Sequence, residues 1–283
     1  MITRDVISNK LADLEQEYFD VMVRRFGEWD AWAKASRRMA DGEDVDEKEI
    51  PEPFIVESRM MRVVLEMEAK GTFDWNNPKL REIFQEAVKE PFYLFWAGMI
   101  ARVSLRLARL AGVKTLVEIG AGRGNLTETM VGHISKEKMP INLLITDVHP
   151  VVLENRGRLK EQYPGVTMDT VLWDIREDPP EELLKKIEHP CLFYDRSSIV
   201  YTTIPAIANI GKVADIAVFG DMLNNTGRLY AFDEVFKKIG ALPLLYSDLK
   251  PLLDSSFRDH VLFDLRAQEA INLPNTTMLI AWK

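Results

Sequence analysis

The chain has 283 residues, 47% of them apolar, enough for one large α/β domain and an accessory segment; no apolar run reaches the ~18 residues of a spanning helix, and the charges scattered through Met1–Phe26 argue against a secretory signal. The net charge of −8 is concentrated between Asp41 and Pro53, which holds seven acids and one lysine, so the rest is nearly neutral and lacks the basic stripe a nucleic-acid binder needs. Cys191 is the only cysteine, which excludes an internal disulfide and a cysteine-rich metal centre and fits a reducing cytoplasm; without a spanning run, no membrane association is expected.

Residues 1–112 read as a helical N-terminal extension. Leu11, Leu14, Tyr18 and Val21 step by three and four, the spacing of one helix face. The acidic stretch 41–53, with Pro51 and Pro53, is expected to be a surface loop or linker. A second helix is predicted near Glu57–Lys70, ending at Gly71. A third starts near Glu90, buries Phe92, Phe95, Trp96, Met99, Val103, Leu107 and Leu110, and ends at Gly112. Arg102, Arg106 and Arg109 lie opposite that apolar face and are expected to be solvated.

From residue 113 to 283 the pattern alternates. Strands are predicted at Lys114–Ile119, Ile141–Thr146, Val166–Trp173, Pro190–Tyr194 and Asp215–Gly220, and helices at Asn125–Ile134, Pro150–Gln162, Pro180–Ile187, Ile204–Lys212 and Tyr230–Ile239. His260–Ala267 and Thr276–Trp282 read as an antiparallel pair at the sheet edge. The fold class is therefore α/β: a Rossmann-like, seven-stranded, mostly parallel sheet with an antiparallel C-terminal pair and a helical N-terminal extension.

The strongest motif is Leu116-Val-Glu-Ile-Gly-Ala-Gly-Arg-Gly-Asn125, a strand running into Gly120, Gly122 and Gly124 with a helix behind them. Glycines there let backbone approach a ligand. The spacing is GxGxG, and Glu118 stands two residues before the first glycine. A carboxylate there repels a pyrophosphate but suits S-adenosylmethionine, which is phosphate-free and carries a sulfonium and an ammonium. Asp147 ends the second strand, where its oxygens can accept both ribose hydroxyls, with Val148 beside it. Asp174 ends the third, positioned for the adenine amino group, with Ile175 beside it. Ligands of open α/β sheets bind at that edge.

These residues resemble the class I S-adenosylmethionine-dependent methyltransferase superfamily over roughly Lys114–Lys283. The resemblance places the cofactor loop on Glu118, Gly120, Ala121, Gly122, Gly124 and Asn125, the ribose acid on Asp147 and the adenine-side acid on Asp174. It implies a methyltransferase whose N-terminal helices serve as a lid over the sheet edge or as a homodimer interface. Bacterial sugar O-methyltransferases are a loose parallel.

Methyl transfer requires an aligned acceptor and, for a hydroxyl, removal of its proton. Asp195, after the fourth strand, is the first candidate for base or acceptor anchor; it can equally pair with Arg196 or cap the next turn. Asp221 ends the fifth strand. The separation of the two acids resembles that of the metal-binding acids in catechol-type, magnesium-dependent enzymes, but Met222 stands where those carry asparagine. No metal ligand is assigned, and magnesium remains an alternative. The Asn-Pro-Pro-Tyr signature of aromatic N-methyltransferases is absent, so a small hydroxyl-bearing acceptor is expected. Tyr93, off the main apolar face of its helix, can reach the cofactor carboxylate or cover the pocket. His189 and His260 are expected at the opposite edge. Two other functions stay open: a Rossmann-type oxidoreductase, and a non-catalytic cofactor-binding protein of the same fold.

Overall fold

The computed structural model describes residues 2–72, 77–122, 125–196, 204–220, 246–263 and 278–283. Helices α1 (Arg4–Ala40), α2 (Ile55–Ala69), α3 (Pro78–Ala87) and α4 (Pro91–Ala111) precede the first strand. Then follow β1 (Thr115–Ile119), α5 (Leu126–Glu137), β2 (Asn142–Asp147), α6 (Pro150–Gly157), α7 (Leu159–Gln162), β3 (Met168–Leu172), α8 (Glu181–Lys186), β4 (Cys191–Arg196), α9 (Ile204–Val213), β5 (Ile216–Gly220), α10 (Tyr246–Ser256), β6 (Asp259–Leu262) and β7 (Leu279–Trp282). The helix expected at Tyr230–Ile239 lies outside the described residues.

The strands form one seven-stranded sheet in the order β3-β2-β1-β4-β5-β7-β6. β1 to β5 are parallel, and β7 runs antiparallel to both β5 and β6. The order reverses direction between β1 and β4, the switch point at which a crevice opens beyond the strand ends. β1 and β5 are buried along their whole length, as expected of strands covered by helices on both faces.

Alternate strand residues feed two cores. Leu116, Leu143, Leu192, Val218 and Ile280 share one cluster with Ile7, Leu11, Leu14 and Tyr18 of α1 and Trp96, Met99, Val103 and Leu107 of α4. Val117, Leu144, Phe193, Phe219 and Leu279 pack on the other face with Ile207 and Ile210 of α9 and Leu253 of α10. The first half of α1 and the Trp96–Ala108 part of α4 thus belong to the sheet's packing. The Tyr18 ring lies tilted against Trp96 at 5.3 Å and Phe263 at 5.7 Å between centroids.

Helix α4 is capped as its sequence predicts, with Pro91 in its first turn and Gly112 left-handed at φ 64°. Its burial extends beyond one face, since Ile100, Ala101, Ser104, Leu105 and Ala108 are also buried. Leu110 and Phe95 are only half-buried. Its arginines are not simply solvated, because α1 and α5 supply acids to meet them. Arg102 makes a bidentate pair with Glu17 at 2.8 Å, Arg106 bonds the Lys10 carbonyl at 2.9 Å and the Asp13 carboxylate, and Arg109 pairs with Glu137.

The acidic 41–53 stretch is a packed connector carrying two short 3₁₀ turns, Glu47–Glu49 and Glu52–Phe54. Val45, Ile50 and Phe54 are buried with Trp32, Met39 and Met61, and Trp32 stacks on Phe54 at 5.7 Å. Its acids pair outward with Arg38, Arg59 and Arg62. The predicted Pro150–Gln162 helix is divided into α6 and α7 after Gly157, a weak helix former.

Two glycines test the packing of α9 and α5. A Cβ added to Gly211 on α9 would lie 2.5 Å from Ser256 Cβ and 3.3 Å from its Cα, so backbone must move. A Cβ on Gly132 of α5 would meet nothing within 4 Å. Gly211→Ala is expected to lower the chemical unfolding free energy by about 1–3 kcal/mol, and Gly132→Ala to leave it unchanged or raise it by up to about 1 kcal/mol. Equal effects of the two substitutions would contradict the close α9–α10 approach.

Candidate functional site

β1 delivers Gly120, Ala121 and Gly122 at its carboxyl end, with Gly120 at φ 58° and Gly122 at φ 52°. A left-handed backbone at both positions favours glycine and turns successive amides out of the strand direction. The loop is tied to β2, its parallel neighbour. Ala121 N–H donates to the Thr146 carbonyl at 3.0 Å, and Thr146 Oγ1 donates to the Glu118 carbonyl at 2.7 Å. Gly122 N–H donates to Asp147 Oδ2 at 2.8 Å, while His149 N–H donates to Oδ1 at 2.8 Å. Each oxygen of this buried carboxylate thus holds one backbone donor and keeps accepting capacity for another. Val148 beside it is 46% exposed, an apolar surface at the strand end.

Glu118 lies beneath the loop, 1% exposed, and accepts from the Tyr194 hydroxyl at 3.2 Å across the switch point. Burial pushes its carboxyl up to about 7, and the Arg156 charge opposes that rise. The same burial, with Glu118 next to it, drives the Tyr194 hydroxyl well above its ordinary range and keeps it a donor. Asp174 follows β3 and is held below the usual carboxylate range by Arg176, which bonds it through Nε at 2.9 Å and through its backbone N–H at 3.0 Å. Ile175 next to it is buried, and its carbonyl accepts from Asn209 at 3.1 Å.

Asn125, at the N-cap of α5, donates from Nδ2 to the Val88 carbonyl at 2.8 Å, joining the glycine loop to the α3–α4 connection. Asp195 is fully buried at the end of β4, and its Oδ1 accepts the Gly220 N–H at 3.3 Å. The following Arg196 lies over the Tyr93 ring, 4.1 Å from its centroid, and donates to the Tyr93 carbonyl at 3.4 Å. Tyr93 of α4 thus meets the end of β4. Gly124 and Asp221, with Met222, lie outside the described residues.

The structure links Glu118, Ala121, Gly122 and Asp147 through hydrogen bonds, with Thr146 between β1 and β2 and Gly120 in the same turn, and adds two residues the sequence did not single out, Tyr194 and Arg156. Arg156 is buried on the face of α6 that carries Val152 and Leu153, and that i, i+3, i+4 spacing was the available signal. His189 sits at the other end of the sheet, paired with Asp215 at 2.6 Å. Burial raises the neighbouring Cys191 thiol to about 12, and it donates to the Val213 carbonyl at 3.4 Å. His260 is buried on β6.

No known family profile matches the chain. It is 29% identical over 150 residues to the non-reducing polyketide synthase dbaI of Emericella nidulans, covering 51% of the chain and 6% of the synthase. It is 26% identical over 126 residues to the polyketide methyltransferase ustM of Ustilaginoidea virens, covering 43% of the chain and 27% of that protein. The matched stretch is thus a small part of these relatives. Among solved structures, the CMeT domain of the citrinin polyketide synthase superposes with a TM-score of 0.60 at 17% identity, over 81% of this chain and 68% of that one. The mitomycin 7-O-methyltransferase MmcR gives 0.52 at 16% identity, over 88% and 73%. The fold is that of the class I S-adenosylmethionine-dependent methyltransferases.

Glu118 makes a stability prediction. Its folded value lies above the ordinary 4.5, so its contribution is fully present below pH 4.5 and disappears as pH rises to about 7. The unfolding free energy of the wild type, measured against Glu118→Gln to cancel other groups, is expected to fall across that window by on the order of 3 kcal/mol. A difference that stays flat from pH 4.5 to 7 would contradict the buried, neutral-favouring environment.

Proposed function

We propose that the chain binds S-adenosylmethionine at the β1–β2 edge and transfers its methyl group to a small-molecule acceptor. The observation that carries this is the Asp147 carboxylate, fixed at both oxygens by Gly122 and His149 amides and with capacity left to take two ribose hydroxyls. Glu118 supports it: a buried acid poised near neutrality is stabilised as the anion by a nearby cation, such as the ammonium of this cofactor, acting through the field under the loop. Val148 offers the apolar surface for adenine, and Asp174, drawn to Arg176, stands on the adenine side.

When bound, S-adenosylmethionine supplies a methyl group on a carbon activated by its sulfonium. The residues of the chain have to align the acceptor and move one proton. Asp195, at the end of β4, is the proposed base or anchor, with Tyr93 and Arg196 beside it, and Asp221 a second proposed acid. The acceptor atom is proposed to be a hydroxyl oxygen, whose proton would pass to the base as the oxygen–methyl bond forms and the methyl–sulfur bond breaks, its electron pair staying on the departing thioether. Two proteins of like fold are carbon methyltransferases, CurJ and DszA, and favour a second reading, a carbon acceptor, which asks the same of the base. The N-terminal helices are proposed to cover this edge or to join two copies.

Calorimetric titration tests the cofactor half. S-adenosylmethionine is expected to bind with release of a proton near pH 7, seen as a buffer-dependent heat, because its cation favours ionised Glu118; nicotinamide dinucleotides are expected not to bind. Absence of heat at millimolar S-adenosylmethionine or S-adenosylhomocysteine, from folded protein, would reject the proposal. With a turned-over acceptor in hand, Asp195→Asn is expected to lower kcat by about 100-fold or more at unchanged cofactor affinity. Wild-type kcat in that variant would remove Asp195 from the chemistry, and the carbon-13 shift of the transferred methyl distinguishes oxygen from carbon.

A further inference from the structure

We infer that Arg156 is a positioning residue of the cofactor site, gripping the glycine loop from α6 while Asp147 grips it from β2. Its Nη2 donates to the Gly122 carbonyl at 2.9 Å, and its Nη1 pairs with Glu128 on α5. The side chain is 8% exposed, so the guanidinium is committed to these partners rather than to water. Gly122 is therefore held at both its polar backbone groups, the N–H by Asp147 and the carbonyl by Arg156, and both side chains come from one β2–α6 unit. A planar fork can serve a carbonyl and a carboxylate together, whereas an ammonium has no such geometry. Glu128 lies in the first turn of α5, where its charge also suits the helix N-terminus, so the guanidinium links the loop to the start of the helix that follows it.

The same group is felt by Glu118. The charged and titratable neighbours facing that carboxylate are Arg156 from α6, Glu128 from α5 and Tyr194 from β4. Arg156 is the sole cation of the three and holds the carboxyl lower than burial alone would leave it. Removing it withdraws both the grip on Gly122 and the charge that favours the Glu118 anion.

The inference rests on the proposed cofactor function, and the experiment separates the two. S-adenosylhomocysteine affinity, the unfolding midpoint and amide exchange of Gly122 are measured in wild type, Arg156→Lys, Arg156→Met and Glu128→Gln. Both Arg156 variants are expected to bind roughly tenfold or more weakly, with Glu128→Gln, which keeps the Gly122 bond, falling between them and wild type. Gly122 amide exchange should speed up in both, and in Arg156→Met the pH window assigned to Glu118 should move upward. Arg156→Lys guards against a variant that fails to fold, because it keeps the charge and most of the volume. Wild-type affinity in both variants, or a loss that merely follows their unfolding midpoints, would overturn the inference. Should wild type bind no S-adenosylhomocysteine, the functional reading falls by itself; Gly122 exchange then decides, and an unchanged rate in Arg156→Met and Arg156→Lys overturns the positioning role.

Discussion

The bond between the Gly122 amide and the Asp147 carboxylate joins two parts of the chain that folding has to bring together with small tolerance. β1 and β2 run parallel in register from Thr115 opposite Asn142 to Glu118 opposite Ile145, so the glycine turn after one strand emerges beside the acid that ends the other. Charge-assisted bonds to backbone amides are about twice as strong as neutral ones, so this contact can fix a loop whose two left-handed glycines would otherwise leave it free. Under the proposed function this is where a nucleoside would rest, with bare backbone on one side and a bonded yet still accepting carboxylate on the other.

Beneath that contact the protein keeps charge where water cannot reach it. Glu118, Tyr194 and Arg156 form a buried group whose members offset one another across the switch point of the sheet. Such groups cost desolvation and repay it only when hydrogen bonds are complete. The pairs that join α1 to α4, Glu17 with Arg102 and Asp13 with Arg106, are of another kind. They are partly exposed and contribute little; apolar burial of Leu11, Leu14, Tyr18 and Trp96 holds those helices on the sheet. Tyr93 and Asn125 are where that helical layer touches the site, through Arg196 and the Val88 carbonyl.

Much of this was legible in the residues. Buried parallel strands are short apolar runs, so β1, β2, β4 and β5 stood out, and the glycine loop and the acids at 118, 147 and 174 could be placed at strand ends because the alternation fixes which end carries the loops. Partners from distant elements were not legible. The periodicity of Arg102, Arg106 and Arg109 shows that they share a face, but not that Asp13 and Glu17 of α1 lie against it. Asp174 could be located without showing that it turns to Arg176. Helix α3 carries its own signal in Asn77, whose side chain caps Lys79 and Leu80, but its short apolar pattern between two prolines drew no expectation. α10 was hidden by Pro251 in its interior. The acidic 41–53 stretch joins α1 to α2 at the surface as expected, but its charge marks the outer side only and gives no sign of the anchors Val45 and Ile50, or of Phe54 just after it.

The central claim concerns where a nucleoside would rest, and a crystal structure of the chain with S-adenosylhomocysteine tests it most directly. Both ribose hydroxyl oxygens are expected within about 3 Å of the Asp147 carboxylate, with the Gly122 amide bond to that carboxylate kept. A ribose bound elsewhere, or a carboxylate that must abandon Gly122 to reach it, would contradict the account.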